Sequence, residues 1–294
     1  MDRRDFIRNG SLLATGLLFG GIDLNAKKAA IRKIEANEKV NLACIGIGNR
    51  GHLGGSMSCA DIVAALYFYK MRCTPDKKSD PNRDRFIMSK GHSVLAQYAA
   101  LAEAGYFEKS LLPTTKSLGS LLQGHPERIT PGVEATTGSL GQGLSIGVGM
   151  ALAGKVDERN YRVYVIVGDG ELAEGQIWEA AMAASHYTLD NLTAIIDMNG
   201  IQAMGKTRNR YKIQNIAGRF TAFGWKTFEI DGHDMAEIVE ALDAVSAVRG
   251  CPSAIIARTI KGKGVNFAEN THTYHNNLLT VEDRARAISS IISM

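Results

Sequence analysis

One stretch constrains the fold more than any other: Arg162 to Ile201, RVYVIVGDGELAEGQIWEAAMAASHYTLDNLTAIIDMNGI. Val163 to Val167 is apolar and rich in β-branched residues, and predicts a strand that stops at Gly168-Asp169-Gly170. Gln176 to His186 carries Ile177, Ala180, Ala181 and Ala184 at helical spacing, so a helix follows. Leu192 to Ile196 predicts a second strand, which runs into Asp197-Met198-Asn199-Gly200. Strand, acidic turn, helix, strand, amide turn is the pattern of a βαβ unit, and such units build parallel sheets.

A right-handed crossover puts the carboxyl ends of both strands on one edge of the sheet, where ligands of such sheets bind. Asp169 and Asn199 are therefore expected close together although about thirty positions separate them. A carboxylate and an amide oxygen are hard ligands that suit Mg²⁺ or Ca²⁺, and Mg²⁺ completes its shell with phosphate oxygens and water. Gly168 and Gly170 have no Cβ to keep a diphosphate away from the backbone. The residues thus describe either a metal–diphosphate site or an ordinary strand-ending turn.

The combination GDG, about thirty residues, then Asn after an apolar strand resembles the thiamine diphosphate motif. The words GDGELAEGQIWEA and FGWKTFEIDGHD resemble the amino-terminal, diphosphate-binding half of transketolase, from about His52 to Glu282. The resemblance implies a three-layer α/β/α domain with a mostly parallel sheet over residues 52–294. His52-Leu53-Gly54-Gly55-Ser56 resembles the family's GHxGGS loop, followed by a helix from Cys59 to Tyr69 with Ile62, Leu66 and Tyr69 on one face. Asp84 to Ser89 reads as a strand entering an SxGH turn at His92, and Ser93 to Ala104 as a helix. Gly143 to Val156 reads as a small-residue helix, Lys226 to Ile230 and Ser253 to Ala257 as strands, and Met235 to Val248 as the helix between them.

The same resemblance implies the site. His52, His92, His125 and His275 would line the channel to the reactive centre, bond substrate hydroxyls and move protons. Gly138, Ser139, Leu140, Gly170 and a donor from His92 or His275 would hold the diphosphate. Asp169 and Asn199 would give side-chain oxygens, and Ile201 its carbonyl, to Mg²⁺ or Ca²⁺. Glu171 is placed with the cofactor-binding residues. Glu174 resembles a glutamate that links two active sites across a dimer, or is an exposed acid at a helix start. Lys261 and Lys263 reach phosphate or form a solvated basic loop. His186 and His272 are expected to be structural, and His233 to serve a turn.

The implied reaction transfers a two-carbon ketol unit from a ketose phosphate to an aldose phosphate. A neighbouring reading keeps the cofactor and changes the reaction, as in 1-deoxyxylulose-5-phosphate synthase or a sulfonate-sugar relative. The glutamate that such enzymes set against the aminopyrimidine lies in a following domain, and this chain ends at Met294 without one. The expectation is a separately encoded carboxy-terminal subunit carrying it, with self-association to an α2β2 heterotetramer. A pseudo-subunit without activity is the non-enzymatic alternative.

The first fifty residues read differently. Residues 1–26, with Arg3-Arg4, Phe6 and an apolar run from Ser11 to Ile22, resemble a twin-arginine export signal, or form a basic amphipathic helix. The apolar run is too short to span a bilayer. KKAAIRKI at residues 27–34 resembles the start of a transketolase first helix. Val40 to Ile45 then reads as a strand ahead of a GxGxxG at residues 46–51, a nicotinamide-dinucleotide fingerprint. Its acidic partner is out of place, since Asp61 falls inside the following helix. Residues 1–51 resemble the beginning of an exported sugar oxidoreductase, so an NAD(P)-dependent oxidoreductase is the alternative from another class, and a junction near residue 50 is expected. Sugar-phosphate chemistry points to the cytoplasm, a working export signal to the periplasm. The net charge of +4 is too small to argue for nucleic acid, and Cys44, Cys59, Cys73 and Cys251 form no CxxC pair.

Overall fold

The structure, a computed structural model, describes residues 51–277 and 279–292. The signal-like segment 1–26, the strand-like run 40–45 and all of the GxGxxG except Gly51 lie outside the described residues.

In chain order the helices are α1 (Leu53–Ser58), α2 (Ala60–Ala65), α3 (Val94–Glu103), α4 (Gln142–Val156), α5 (Gly175–His186), α6 (Ile216–Ala222), α7 (Met235–Ala247) and α8 (Val281–Ile292). The strands are β1 (Arg85–Met88), β2 (Val163–Gly168), β3 (Leu192–Met198), β4 (Ile201–Gln202), β5 (Gly205–Lys206), β6 (Lys226–Asp231) and β7 (Ser253–Arg258). Five of them form one parallel sheet in the order β1-β2-β3-β7-β6, while β4 and β5 pair as a small antiparallel hairpin.

Alternate side chains of a strand point to opposite faces, and here both faces are covered. Tyr164, Ile166, Ile195 and Ile255 pack with α1, α2, α3 and α7. Val163, Val165, Val167, Ala194, Ile196 and Ile256 pack on the other side with Leu144 of α4, Ile177 of α5 and Phe220 of α6. A sheet buried on both faces needs largely apolar strands; Val163 to Val167 of β2 meet this, and β3 does apart from Thr193 and Asp197. The result is the expected three-layer α/β/α arrangement.

Local structure departs from the sequence reading in two places. The single helix expected from Cys59 to Tyr69 is α2 followed by one π-helical turn, Leu66–Lys70, closed by the Met71 N–H donating to the Leu66 carbonyl at 2.8 Å. The extra residue turns Tyr69 and Lys70 toward α7, where both reach the Asp243 carboxylate at 2.6 Å. The GHxGGS run, read as a loop, continues as helix α1. Glycine is a poor helix former, but burial decides here: the Gly262 N–H donates to the Gly54 carbonyl at 2.9 Å, and a Cβ on Gly54 would meet Lys261 at 3.1 Å.

Parallel pairing puts the carboxyl ends of β1, β2, β3 and β7 along one edge. Gly168 lies opposite Asp197, and Met198 opposite Arg258. The start of α4 is drawn against the end of β1 because Gly143 has no side chain. A Cβ there would lie 2.5 Å from the Ser89 Cβ and 2.6 Å from its Cα. Since the obstacle includes backbone, Gly143→Ala is expected to lower stability by about 1–3 kcal/mol, the range for overpacking a tight core. Urea unfolding of the purified chain reads this; an unchanged midpoint would show that the helix start has room to move.

Candidate functional site

The two strand ends named by the sequence pattern meet. Asp169 follows β2, and its Oδ2 accepts the Gly200 N–H at 2.7 Å and the Thr207 hydroxyl at 3.1 Å, while Oδ1 accepts the Gly170 N–H at 2.8 Å. The side chain is buried and forms no ion pair among the described residues. Burial, and then the nearby Asp197, raise its pKa. Asn199 follows β3; its Oδ1 accepts the Ile201 N–H and its Nδ2 donates to Asp197 Oδ2, both at 3.1 Å. The Ile201 carbonyl accepts from the Lys261 ammonium at 3.1 Å.

This donor set suits a hard divalent ion. A buried carboxylate without a cation is costly, and a cation set between Asp169, Asn199 and Ile201 would offset that cost. The Ile201 carbonyl already holds a positive charge, so the Lys261 ammonium stands where a cation is favoured. Among the described residues no group of three His, Cys, Asp or Glu could hold a metal, but the present set needs only one carboxylate beside two neutral oxygens.

Beneath these residues lies a charge pair that sequence reasoning missed. Asp197, the sixth residue of β3, is completely buried and contacts the Lys90 ammonium, itself 3% exposed. Ser58 donates to Asp197 Oδ2 at 2.6 Å, Thr259 donates to Oδ1, and Lys90 also reaches the Gly55 carbonyl at 2.7 Å. Burial opposes both charges, but each partner outweighs it: the Lys90 pKa is raised and that of Asp197 lowered. The signal available was an acid ending an apolar strand, IIDMN, and a lysine inside SKGH; neither says that the two meet.

Three histidines form a cluster. The ring centroids of His52 and His92 are 5.0 Å apart, and each lies 5.3 Å from that of His275. Burial, followed by nearby cations and imidazoles, lowers the pKa of His52 to about 4, of His92 to about 2 and of His275 to about 3. All three are therefore neutral at neutral pH. His275 Nδ1 accepts from Lys261 at 2.9 Å, which leaves its Nε2 carrying the proton. His52 Nδ1 is buried without a hydrogen-bond partner. His125 stands in a different loop, with its ring packed beside Gly138, and burial and then Lys116 lower its pKa.

The turn Gly138-Ser139-Leu140 leads into α4 through Gly141, whose φ of 87° favours glycine. Gly170 faces Gln202 so closely that a Cβ would lie 2.7 Å from its Cγ. Glu171 binds these loops together. It is buried and accepts from Ser89 Oγ at 2.5 Å, Gly141 N–H at 2.8 Å and Gly168 N–H at 3.0 Å, while burial raises its pKa against these donors. Glu174 is exposed at the N-cap of α5. Lys261 is 2% exposed, which corrects the solvated-loop reading for that residue, and burial lowers its pKa to about 8; Lys263 is half-buried. His233 joins Asp61 at 2.5 Å through Nδ1 and accepts the Ile260 N–H at 2.8 Å through Nε2. Asp61 is thus engaged inside α2 and does not end a second strand, as a dinucleotide site requires.

A parallel sheet whose carboxyl edge is lined by buried oxygens, glycine turns and neutral histidines is the architecture of an α/β domain that binds its ligand at that edge. Comparison with known proteins narrows this. Residues 30–290 match the family described as "Transketolase, thiamine diphosphate binding domain". The chain is 42% identical over 257 residues to an apulose-4-phosphate transketolase subunit of Phocaeicola vulgatus, covering 87% of this chain and 92% of that protein. It is 44% identical over 271 residues to the 6-deoxy-6-sulfo-D-fructose transketolase subunit SqwG of Clostridium sp., covering 92% and 96%. Among solved structures, transketolase from Leishmania mexicana superposes with a TM-score of 0.82 at 32% identity, over 87% of this chain and 41% of that one. The chain belongs to the transketolase thiamine diphosphate-binding family.

The depressed histidines make stability pH-dependent. Below pH 6.5 unfolded His92 takes up a proton that the folded chain refuses down to about pH 2. Its contribution is complete above 6.5 and is lost as pH falls. Between pH 6 and 4 the unfolding free energy should drop with a term of about 1.4 kcal/mol per pH unit from His92. His92→Gln is expected to flatten the profile by that amount in urea titrations; parallel profiles would mean that His92 is protonated in the fold.

Proposed function

We propose that this chain is the amino-terminal subunit of a split transketolase, which binds thiamine diphosphate with Mg²⁺ or Ca²⁺ and transfers a two-carbon ketol unit between sugar phosphates or similarly anionic sugars. The observation that carries the proposal is the meeting of Asp169 with the Asn199-Gly200 turn at 2.7 Å, beside a histidine cluster. Subunit-length relatives named as transketolase subunits support it.

The family resemblance implies the roles, and the geometry is compatible with them. Asp169, Asn199 and the Ile201 carbonyl would hold the metal. The Gly138–Leu140 turn, Gly170 and the Nε2–H of His275 would bind the diphosphate, and the buried Lys261 ammonium would add positive charge. Glu171 would hold these loops in register. When bound, thiamine diphosphate supplies the electron sink for breaking and forming the C–C bond. His52, His92 and His125, neutral at working pH, would donate to or accept from substrate hydroxyls. The buried, unpartnered Nδ1 of His52 is one atom that a ligand would satisfy.

A separately encoded partner would supply the glutamate that acts on the aminopyrimidine. Leu118 is fully exposed and Ile129 two-thirds exposed in the segments that flank His125 in sequence, and such apolar side chains suit a covering protein. Val156 and Met182, exposed on α4 and α5, would serve self-association to α2β2. No described helix is long and apolar enough to cross a membrane; the proposed substrates place the enzyme in the cytoplasm, and residues 1–26 would place it in the periplasm if they act as a signal.

The test combines the purified chain with thiamine diphosphate, Mg²⁺ and the candidate partner. Two-carbon transfer is expected only with the partner present, and Asp169→Ala should weaken cofactor retention by ~10-fold or more. Robust transfer by the chain alone would remove the partner from the account. Tight NADH binding without thiamine diphosphate binding would favour the oxidoreductase instead.

A further inference from the structure

Asn199 presents a puzzle of orientation. A carboxamide has two ends of nearly equal size, and only the oxygen can bind a metal. Something must decide which end faces the ion. The atom next to its Nδ2 is Asp197 Oδ2, at 3.1 Å. A carboxylate only accepts hydrogen bonds, so it admits the NH₂ end and rejects the oxygen. That turns Oδ1 to the opposite side, where it lies with the Ile201 N–H at 3.1 Å.

Asp197 itself has no freedom. Its Oδ2 accepts from Lys90, Ser58 and Asn199, and its Oδ1 from Thr259. Lys90 is fixed in turn by the Gly55 carbonyl. The main chain of the same residue acts on the other side of the site: the Asp197 carbonyl accepts the Asp169 N–H at 3.2 Å. One residue therefore contacts both residues assigned to the metal, the Asp169 main chain through its carbonyl and the Asn199 side chain through its carboxylate.

We propose that Asp197, paired with Lys90, is the positioning residue that directs the Asn199 oxygen to the divalent ion. This rests on the metal assignment made above. It gives a reason for a buried ion pair, which is weak evidence of stabilisation because well-packed apolar residues often replace such pairs without loss. A residue that orients a metal ligand typically changes metal affinity 10- to 100-fold when removed.

The experiment is isothermal titration of the full-length chain with Ca²⁺ in saturating thiamine diphosphate, with thermal melting alongside. The double variant Lys90→Met/Asp197→Leu removes one charge of each sign, so the net charge of the site is unchanged, yet it should weaken Ca²⁺ binding ~10-fold or more. Wild-type affinity in that variant, with only a lower melting temperature, would overturn the proposal and leave the pair a structural one. Should the double variant fail to fold, Asn199→Asp decides: a carboxylate cannot donate to Asp197, so binding should weaken despite the added negative charge. Tighter binding there would overturn the proposal. If wild type itself takes up no Ca²⁺, the metal assignment fails, separately from any role of Asp197.

Discussion

The parallel register of β2 against β3 is the constraint on which the site depends. With Gly168 opposite Asp197, the residues just beyond each strand emerge side by side, and the Asp169 carboxylate can reach the Gly200 amide. A register slipped by one residue would turn Asp197 to the other face of the sheet, away from Lys90, and would carry Asn199 away from Asp169. Both strands are clamped between two helical layers, and such a slip would also strip the buried Asp197 carboxylate of its donors, which makes it costly.

Electrostatics at this edge follow from burial. Cationic Lys90 and Lys261 stand at the end of the sheet, and of the two only Lys90 has a full anionic partner among the described residues. The loss of water, and then nearby positive charge, keep His52, His92 and His275 neutral, and a neutral imidazole can both donate and accept a hydrogen bond. Asp169 is a buried acid whose described partners are neutral donors. An anion and a cation without opposite charges of their own thus share this edge, an arrangement that suits a metal–diphosphate pair of matching polarity.

Much of this was legible in the sequence, and for identifiable reasons. The strands β2, β3, β6 and β7 and the helices α4, α5 and α7 have strong periodicity, so they fall within one or two residues of where the pattern puts them. The reading of α1 as a loop failed because a helix of Leu-Gly-Gly-Ser is stabilised by what packs on it, not by propensity. The π turn after α2 failed because contacts to Asp243, more than 170 positions away, decide it. Helices α6 and α8 were not anticipated, although their caps are local: Asn215 accepts the Gly218 N–H, and Thr280 accepts the Asp283 N–H.

The sequence by itself determined the layered fold, the pairing of an acid turn with an amide turn, and the family. The pairing of the two turns depends on local periodicity and on topology rules that hold for any parallel crossover, while the layered fold and the family rest on the resemblance of stretches such as GDGELAEGQIWEA and FGWKTFEIDGHD. Only the tertiary structure decided that Lys261 is buried rather than solvated, that Glu171 ties three loops together, and that Lys90 meets Asp197. Each is a contact between residues far apart in the chain, whose charge and burial are set by neighbours that no local window contains.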